Sequence, residues 1–303
     1  MTSVIGGYLR LSRPLNAFAA GLLTFVGTLI TINFYGGFNL FSSSLVPIAA
    51  SILATIFATA AGNSINDYFD SDIDRINSPT RPIPLGIISK NSALKFSILL
   101  FLLSILICLI LPPFAIFIAI LNFVLLILYT PLFKGMPFVG NFVVSYLGGS
   151  TVLFGSVSMV GLEALQNQTL LVLFSLIILS TFSREIIKDI EDMDGDRTKT
   201  LKTLPLAIGT TPSLIISAIS LLIAILISPL PFLNGTFGLF YLFAITIADS
   251  LMGFALFLSF TNPSKGQLYL KYGMFRKSSC FRVLRIRNTV RVSTIRTLLL
   301  REA

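Results

Sequence analysis

The 303 residues are 54% hydrophobic and 12% charged, with a mean hydropathy of +0.89, which excludes an ordinary soluble enzyme and marks an integral membrane protein. The net charge of +9 does not point to nucleic acid: residues 276–303 hold seven Arg and one Lys against one Glu, a net +7, and the rest of the chain is nearly balanced. With no histidine, His-based general-base chemistry and His-ligated zinc or haem are excluded, and Cys108 and Cys280 cannot build a disulfide framework.

Apolar runs of spanning length are predicted at 14–34, 44–62, 93–111, 113–130, 138–160, 168–183, 211–229 and 236–260, which gives an all-α polytopic bundle of eight to nine membrane helices. The first run is too long for a cleavable signal peptide and follows Arg10 and Arg13, so it is expected to remain as a span. Pro14 suits a helix N-terminus, and Asn16 beside it either caps that helix or looks into a pocket. With this span count every Lys and Arg before residue 276 falls on one side, and the opposite loops near 35–43, 111–113, 160–168 and 229–236 hold none. The positive-inside rule then places the N-terminus and that side in the cytoplasm.

Between the second and third runs lies the polar connection 63–92, whose Pro and Gly punctuation suits a functional lid. It carries Asn66-Asp67-Tyr68-Phe69-Asp70-Ser71-Asp72-Ile73-Asp74, followed by Arg81-Pro82. Asn66, Asp70 and Asp74 recur every four residues and share one helical face. Such stacked oxygens, with no basic partner among them, repel unless cations sit between them, and hard oxygen donors suit Mg²⁺. Taken alone, a solvated acidic loop accounts for the cluster equally well.

After the fourth run, Lys134 either snorkels to the interface or meets a diphosphate, and Asn141 can bond a substrate or a neighbouring helix. The sixth run then closes on a second cluster, Arg184-Glu185-Ile186-Ile187-Lys188-Asp189-Ile190-Glu191-Asp192-Met193-Asp194-Gly195-Asp196. Arg184, Lys188, Asp192 and Asp196 again fall on one face, until Gly195 is expected to loosen the helix. Each cluster precedes a Thr/Pro-containing segment, 79–86 and 202–209. Two acidic faces in matching positions of two halves read as opposite walls of one metal–diphosphate site. Asp249, the one acidic residue deep in a span, reads as a structural carboxylate whose partner the sequence does not name. From Arg276 a basic tail stands where a ninth span would fit, either lying on anionic headgroups or arising from a frameshift.

Asn66-x-x-x-Asp70-x-x-x-Asp74 and Lys188-x-x-x-Asp192-x-x-x-Asp196 resemble the two signatures of the UbiA-type intramembrane prenyltransferases, and the likeness covers roughly residues 8–275. The wording Asn-Asp-Tyr-Phe-Asp, Arg-Pro-Ile-Pro and Arg-Glu-Ile-Ile-Lys-Asp-Ile-Glu-Asp is similar to the archaeal ether-lipid branch of that family. Arg184 departs from the wider superfamily, many of whose members carry Tyr there. The resemblance implies a transmembrane prenyltransferase domain at 1–275, with residues 276–303 as an atypical basic tail. It implies Mg²⁺-dependent transfer of a geranylgeranyl group from geranylgeranyl diphosphate to the hydroxyl of geranylgeranylglyceryl phosphate, at the cytoplasmic face of the cell membrane.

Under that resemblance Asp70, Asp74, Asp192, Asp196 and Lys188 form the catalytic set, and Asn66, Asp70, Asp74, Asp192 and Asp196 hold Mg²⁺. Asn16, Asn66, Asp67, Arg81, Lys134 and Arg184 bind substrate. The cationic rim of Arg81, Lys90, Lys134, Arg184, Lys188, Lys199 and Lys202 exceeds what one diphosphate requires, which favours a phosphate-bearing acceptor over an aromatic or quinone-precursor one. A cation transporter would place its site near the midplane, whereas these clusters end spans. A phosphatidyl-type transferase would need Asp-Gly and Ala-Arg ahead of its paired aspartates, and that motif is absent.

Overall fold

In hydrocarbon every backbone N–H and C=O must be satisfied internally, and continuous apolar runs of about twenty residues achieve this as helices. The computed structural model describes residues 3–198 and 202–262, together with Leu270. Its short α1 (Val4–Ser12) is capped by Ser3, whose hydroxyl accepts from the Gly6 amide at 3.1 Å. The first span, α2 (Pro14–Tyr35), begins on proline, whose missing N–H costs nothing at a helix start. A short α3 (Gly37–Ser43) leads into α4 (Leu45–Phe69) and α5 (Ser71–Asn77), and then into α6 (Lys90–Cys108), which is capped by the Ser89 hydroxyl. The helices α7 (Pro113–Leu128), α8 (Val139–Val160), α9 (Gln168–Glu191) and α10 (Met193–Thr198) follow. The chain continues through α11 (Leu204–Ile208), α12 (Thr210–Ile227), α13 (Leu230–Leu233) and α14 (Leu239–Ser259).

Eight helices among the described residues are long and apolar enough to cross a membrane, and they coincide with the eight predicted runs. The chain is a multi-pass membrane protein. The second and sixth spans run further than hydropathy alone predicts, to Phe69 and Glu191, because the polar motif residues continue the helical hydrogen bonding. The Asp70 amide donates to the Asn66 carbonyl and the Asp74 amide to the Asp70 carbonyl, each at 2.8 Å. The same ladder carries Asp192 onto Lys188 at 2.9 Å and Asp196 onto Asp192 at 3.0 Å. Gly195 therefore lies within α10, contrary to the expected loosening. Likewise much of the expected 63–92 connection is helical, and only residues 78–89 form a loop. The expected basic tail, 276–303, lies outside the described residues.

The most extensive packing pairs α4 with α6, α2 with α8, α8 with α9, and α9 with α12. One core, built from residues such as Ala61, Phe101, Phe123 and Val157, joins α4, α6, α7 and α8, and another joins α9, α12 and α14 around Ile187, Leu221 and Met252. At the α2–α8 crossing the backbones touch: a Cβ on Gly27 would meet the Val152 carbonyl oxygen at 2.0 Å, and one on Gly155 the Thr24 carbonyl oxygen at 2.0 Å. The Ser156 hydroxyl donates to the Gly27 carbonyl across that crossing at 2.9 Å, the small-residue packing that membrane helices use where apolar burial gives no drive. Asp249 acquires a named partner from tertiary structure: the Ser228 hydroxyl donates to its Oδ2 at 2.5 Å, while the Tyr241 hydroxyl donates to the Ser228 carbonyl. That network ties the ends of α12 to α14.

Candidate functional site: two acidic helix ends joined by a cationic seam

The four-residue spacing of the first cluster survives as three stacked groups with separate partners. The Thr130 hydroxyl donates to Asn66 Oδ1 at 2.7 Å, Lys134 Nζ donates to Asp70 Oδ2 at 2.6 Å, and Arg81 Nη1 donates to Asp74 Oδ2 at 2.5 Å. Asp70 and Asp74 are buried at the helix end. Burial lifts the Asp74 carboxyl above its ordinary range, and the adjacent Arg81 offsets this only in part. Basic partners that the cluster lacks in sequence thus arrive from α7's far end and from the following loop.

Thr130 and Lys134 reach the cluster because Tyr129–Phe133 is wound as a π-helical turn containing Pro131, with the Lys134 amide donating to the Tyr129 carbonyl at 2.8 Å. Such turns widen the helix locally and recur at functional sites. Immediately after it, Phe138 has φ 68°, one of two non-glycine residues in the left-handed region among the described residues; the other is Arg13 at φ 46°. Both strained positions flank the site.

Lys134 also lines a small polar cleft together with Asn141, Lys188, Asp189, Asp192 and Asp196. The residue that grips Asp70 therefore faces the second cluster directly, and both clusters lie at the same end of the bundle. In the second cluster the Arg184 guanidinium and Lys188 Nζ both donate to Glu185, the latter at 3.3 Å, and Asn141 Nδ2 donates to Asp189 Oδ2 at 2.6 Å. Of the two readings of Asn141, the structure shows the bond to the neighbouring helix. Asp192 is exposed and Asp196 buried. Sequence reasoning missed Glu185 and Asp189, although they sit within the quoted motif and repeat its four-residue spacing one position along.

Asp67 does not line this cleft. Its carboxylate is 4% exposed, and its Oδ1 accepts from Arg13 Nη2 at 2.5 Å and from Arg81 Nη1 at 3.2 Å. Arg13 carried no signal in the sequence as a site residue, since this contact spans 54 positions. Lys90 Nζ lies 3.4 Å from Asp72 and over the Tyr68 ring, and Lys199 falls outside the described residues.

Behind the polar cleft is an apolar cavity of about 370 Å³, walled by residues such as Leu23, Phe123, Leu126 and Phe154. Its polar lining includes Asn16 and Arg184. Arg184 stands one helical turn before Lys188, so a single face of α9 passes from the apolar chamber to the polar cleft.

The donor set suits Mg²⁺. Among the described residues no three carboxylates converge into a ready-made cage. Magnesium, however, is usually held by one or two carboxylates with phosphate oxygens and water filling the rest of its octahedron. Lys134 and Arg81 sit on two of these hard oxygens, those of Asp70 and Asp74.

The sequence model of the UbiA prenyltransferase family matches residues 20–279. The chain is 45% identical over 282 residues to a digeranylgeranylglyceryl phosphate synthase of Natronomonas pharaonis, covering 93% of this chain and 98% of that one. It is 45% identical over 277 residues to a Haloquadratum walsbyi protein of the same name, covering 91% and 93% of the two chains. A solved structure described as giving structural and mechanistic insights into the biosynthesis of digeranylgeranylglyceryl phosphate synthase in membranes superposes with a TM-score of 0.75 at 35% identity, covering 94% of this chain and 99% of that one. A UbiA homologue from Archaeoglobus fulgidus, bound to DMAPP and Mg²⁺, shares the fold with a TM-score of 0.62 at 18% identity, covering 90% and 99%.

Proposed function

The chain belongs to the UbiA prenyltransferase family, and from that premise we propose that it is a Mg²⁺-dependent geranylgeranyltransferase that alkylates geranylgeranylglyceryl phosphate. The observation that carries the reading is that one face of α9 lines both cavities, Lys188 the polar cleft and Arg184, one turn earlier, the apolar chamber. A prenyl diphosphate is a molecule of that shape: an anionic head on a long hydrocarbon. The relatives' shared name supplies the acceptor class.

In this reading Asn66, Asp70 and Asp74 on one side and Asp192 and Asp196 on the other would hold Mg²⁺. The ion, when bound, neutralises the charge that develops on the departing diphosphate. Lys188, Arg184 and Lys134 bind the same oxygens as fixed cations, with no proton change needed. Arg81 binds substrate at the rim, Asn16 binds it from the lining of the chamber, and Asp67 orients basic groups beside Arg81. The allylic C–O bond breaks with its electron pair leaving on the diphosphate. The acceptor hydroxyl oxygen forms the new ether bond to that carbon, and its proton passes to the released diphosphate. The chamber walls keep water from competing at the allylic carbon and accommodate the hydrocarbon.

The concentration of Lys and Arg on the side bearing the cleft supports a cytoplasmic active site in the cell membrane. Residues 1–275 constitute the prenyltransferase unit and 276–303 a basic extension; the family match, over residues 20–279, falls almost wholly in the first.

The test is competition for one labelled donor. Purified protein is offered geranylgeranyl diphosphate with equal geranylgeranylglyceryl phosphate and an aromatic acid, with and without Mg²⁺. Label is expected in the ether lipid and only with the metal. Label mainly on the aromatic ring would overturn the acceptor assignment.

A further inference from the structure

The cationic groups of the site fall into two sets, with Arg81 touching both. Lys134, Lys188 and Arg184 belong to the seam between the two acidic helix ends or to the chamber behind it. Arg13 and Arg81 belong to the flank of α4, and both donate to a single oxygen, Asp67 Oδ1. Two guanidinium heads converging on one oxygen repel each other, and a single carboxylate neutralises only one of them. Arg81 finds a second carboxylate in Asp74. Among the described residues, the hydrogen bonds of Arg13 to a side chain engage Nη2 alone, which leaves most of a five-donor fork for a further acceptor.

The exposures point outward. Asp67 is 4% exposed, while the Arg13 and Arg81 side chains are each 34% exposed. The buried anion thus serves as a base plate, and the cationic edges open to the rim. The chain is strained to achieve this. Arg13 sits at φ 46° and ψ 67° between α1 and α2, directly before Pro14. That conformation is disfavoured for a non-glycine residue and persists only when its surroundings over-determine it. Here they do: Asn63 Nδ2 donates to the Ser12 carbonyl at 3.1 Å, locking the corner onto α4. Beside the pair, Leu9, Leu15 and Phe18 are exposed, as suits residues that face acyl chains.

We infer that Arg13 and Arg81, clamped on Asp67, form a phosphate subsite beside the diphosphate seam, with Arg81 at the boundary through Asp74, and that it receives the phosphate of the acceptor lipid. This rests on the proposed function, which requires two anionic substrates to be held at once. A planar guanidinium pair suits a phosphate monoester through bidentate bonds. The seam, with its stacked carboxylates, suits the metal-bound diphosphate. Placed at the rim beside exposed apolar residues, the flank pair takes a headgroup whose hydrocarbon stays in the bilayer. Asp67 is the positioning residue of the subsite, and Arg13 is its binding residue.

The experiment uses the full chain purified in detergent with Mg²⁺, reading acceptor KM and donor KM separately for wild type, Arg13→Gln and Asp67→Asn. Both variants are expected to raise KM for geranylgeranylglyceryl phosphate by about tenfold or more, the loss of one charge-assisted contact. Donor KM should move less than about twofold, a split that general structural damage would not produce. Retention of labelled acceptor on each protein, without donor, gives the same reading where turnover is too weak: Arg13→Gln should hold less than wild type, and Arg13→Lys an intermediate amount. A donor KM that rises as much as the acceptor KM, or acceptor retention by Arg13→Gln equal to wild type, overturns the subsite while leaving the proposed function standing. A wild-type protein that fails to alkylate the glyceryl phosphate overturns both.

Discussion

Asp70 and Asp192 each close a long apolar helix, yet they meet different surroundings: Asp70 is buried against Lys134, whereas Asp192 is exposed at the cleft. Asp70→Asn and Asp192→Asn are each expected to lower turnover at least about 100-fold while leaving membrane insertion and the thermal midpoint near wild type, because each removes an ionised oxygen from a site that needs charge rather than shape. Circular dichroism with a steady-state assay checks both halves of that statement, and near-normal turnover in either variant would reduce the clusters to surface charge. Lys134 gives a complementary case. Removing it as Lys134→Ala leaves the Asp70 carboxylate buried without its cation, so the variant should bind Mg²⁺ more tightly in the absence of donor but hold the diphosphate more weakly. Metal titration read by protection against thermal unfolding, alongside donor KM, separates those opposed effects. A variant in which both move in the same direction would remove Lys134 from the seam.

At the scale of elements, the site depends on helices that continue past the point where hydropathy ends them. The ladders from Asn66 to Asp74 and from Lys188 to Asp196 keep a 3.6-residue period through polar sequence. The spacing of four therefore predicts their shared faces correctly, while span length from composition does not. Other features carry no such local signal. The π-helical turn at 129–133 is set by Pro131 and by the helices it packs against. The α2–α8 crossing depends on glycines whose role is visible only once the other backbone is in place. There, Gly27→Ala would put a Cβ 2.0 Å from the Val152 carbonyl oxygen, which neither helix can absorb by a rotamer change. It should cost about 1–3 kcal/mol and lower the thermal midpoint. Gly253→Ala, whose Cβ would meet nothing within 4 Å, is the control that should not. Equal melting of the two variants would show that the crossing relaxes freely.

For the whole molecule the clearest consequence is sidedness. A thiol reporter introduced at Ser78, in the loop after the first acidic cluster, should be modified only from the cytoplasmic side, and one at Asn234, between α13 and α14, only from the outside. The reverse pattern in intact cells would invert the active site. Span number and the two acidic faces were legible in the residues themselves, because bilayer thickness and helical period are local constraints that any arrangement of the helices must obey. The pairing of Lys134 with Asp70, of Asn141 with Asp189, of Ser228 with Asp249, and of Arg13 with Asp67 was decided by tertiary structure alone. Each joins residues 21 to 64 positions apart on different elements. The sequence determines which polar groups must be satisfied at the end of each helix; only the packing of those helices decides which group satisfies which, since that depends on distances no local period encodes.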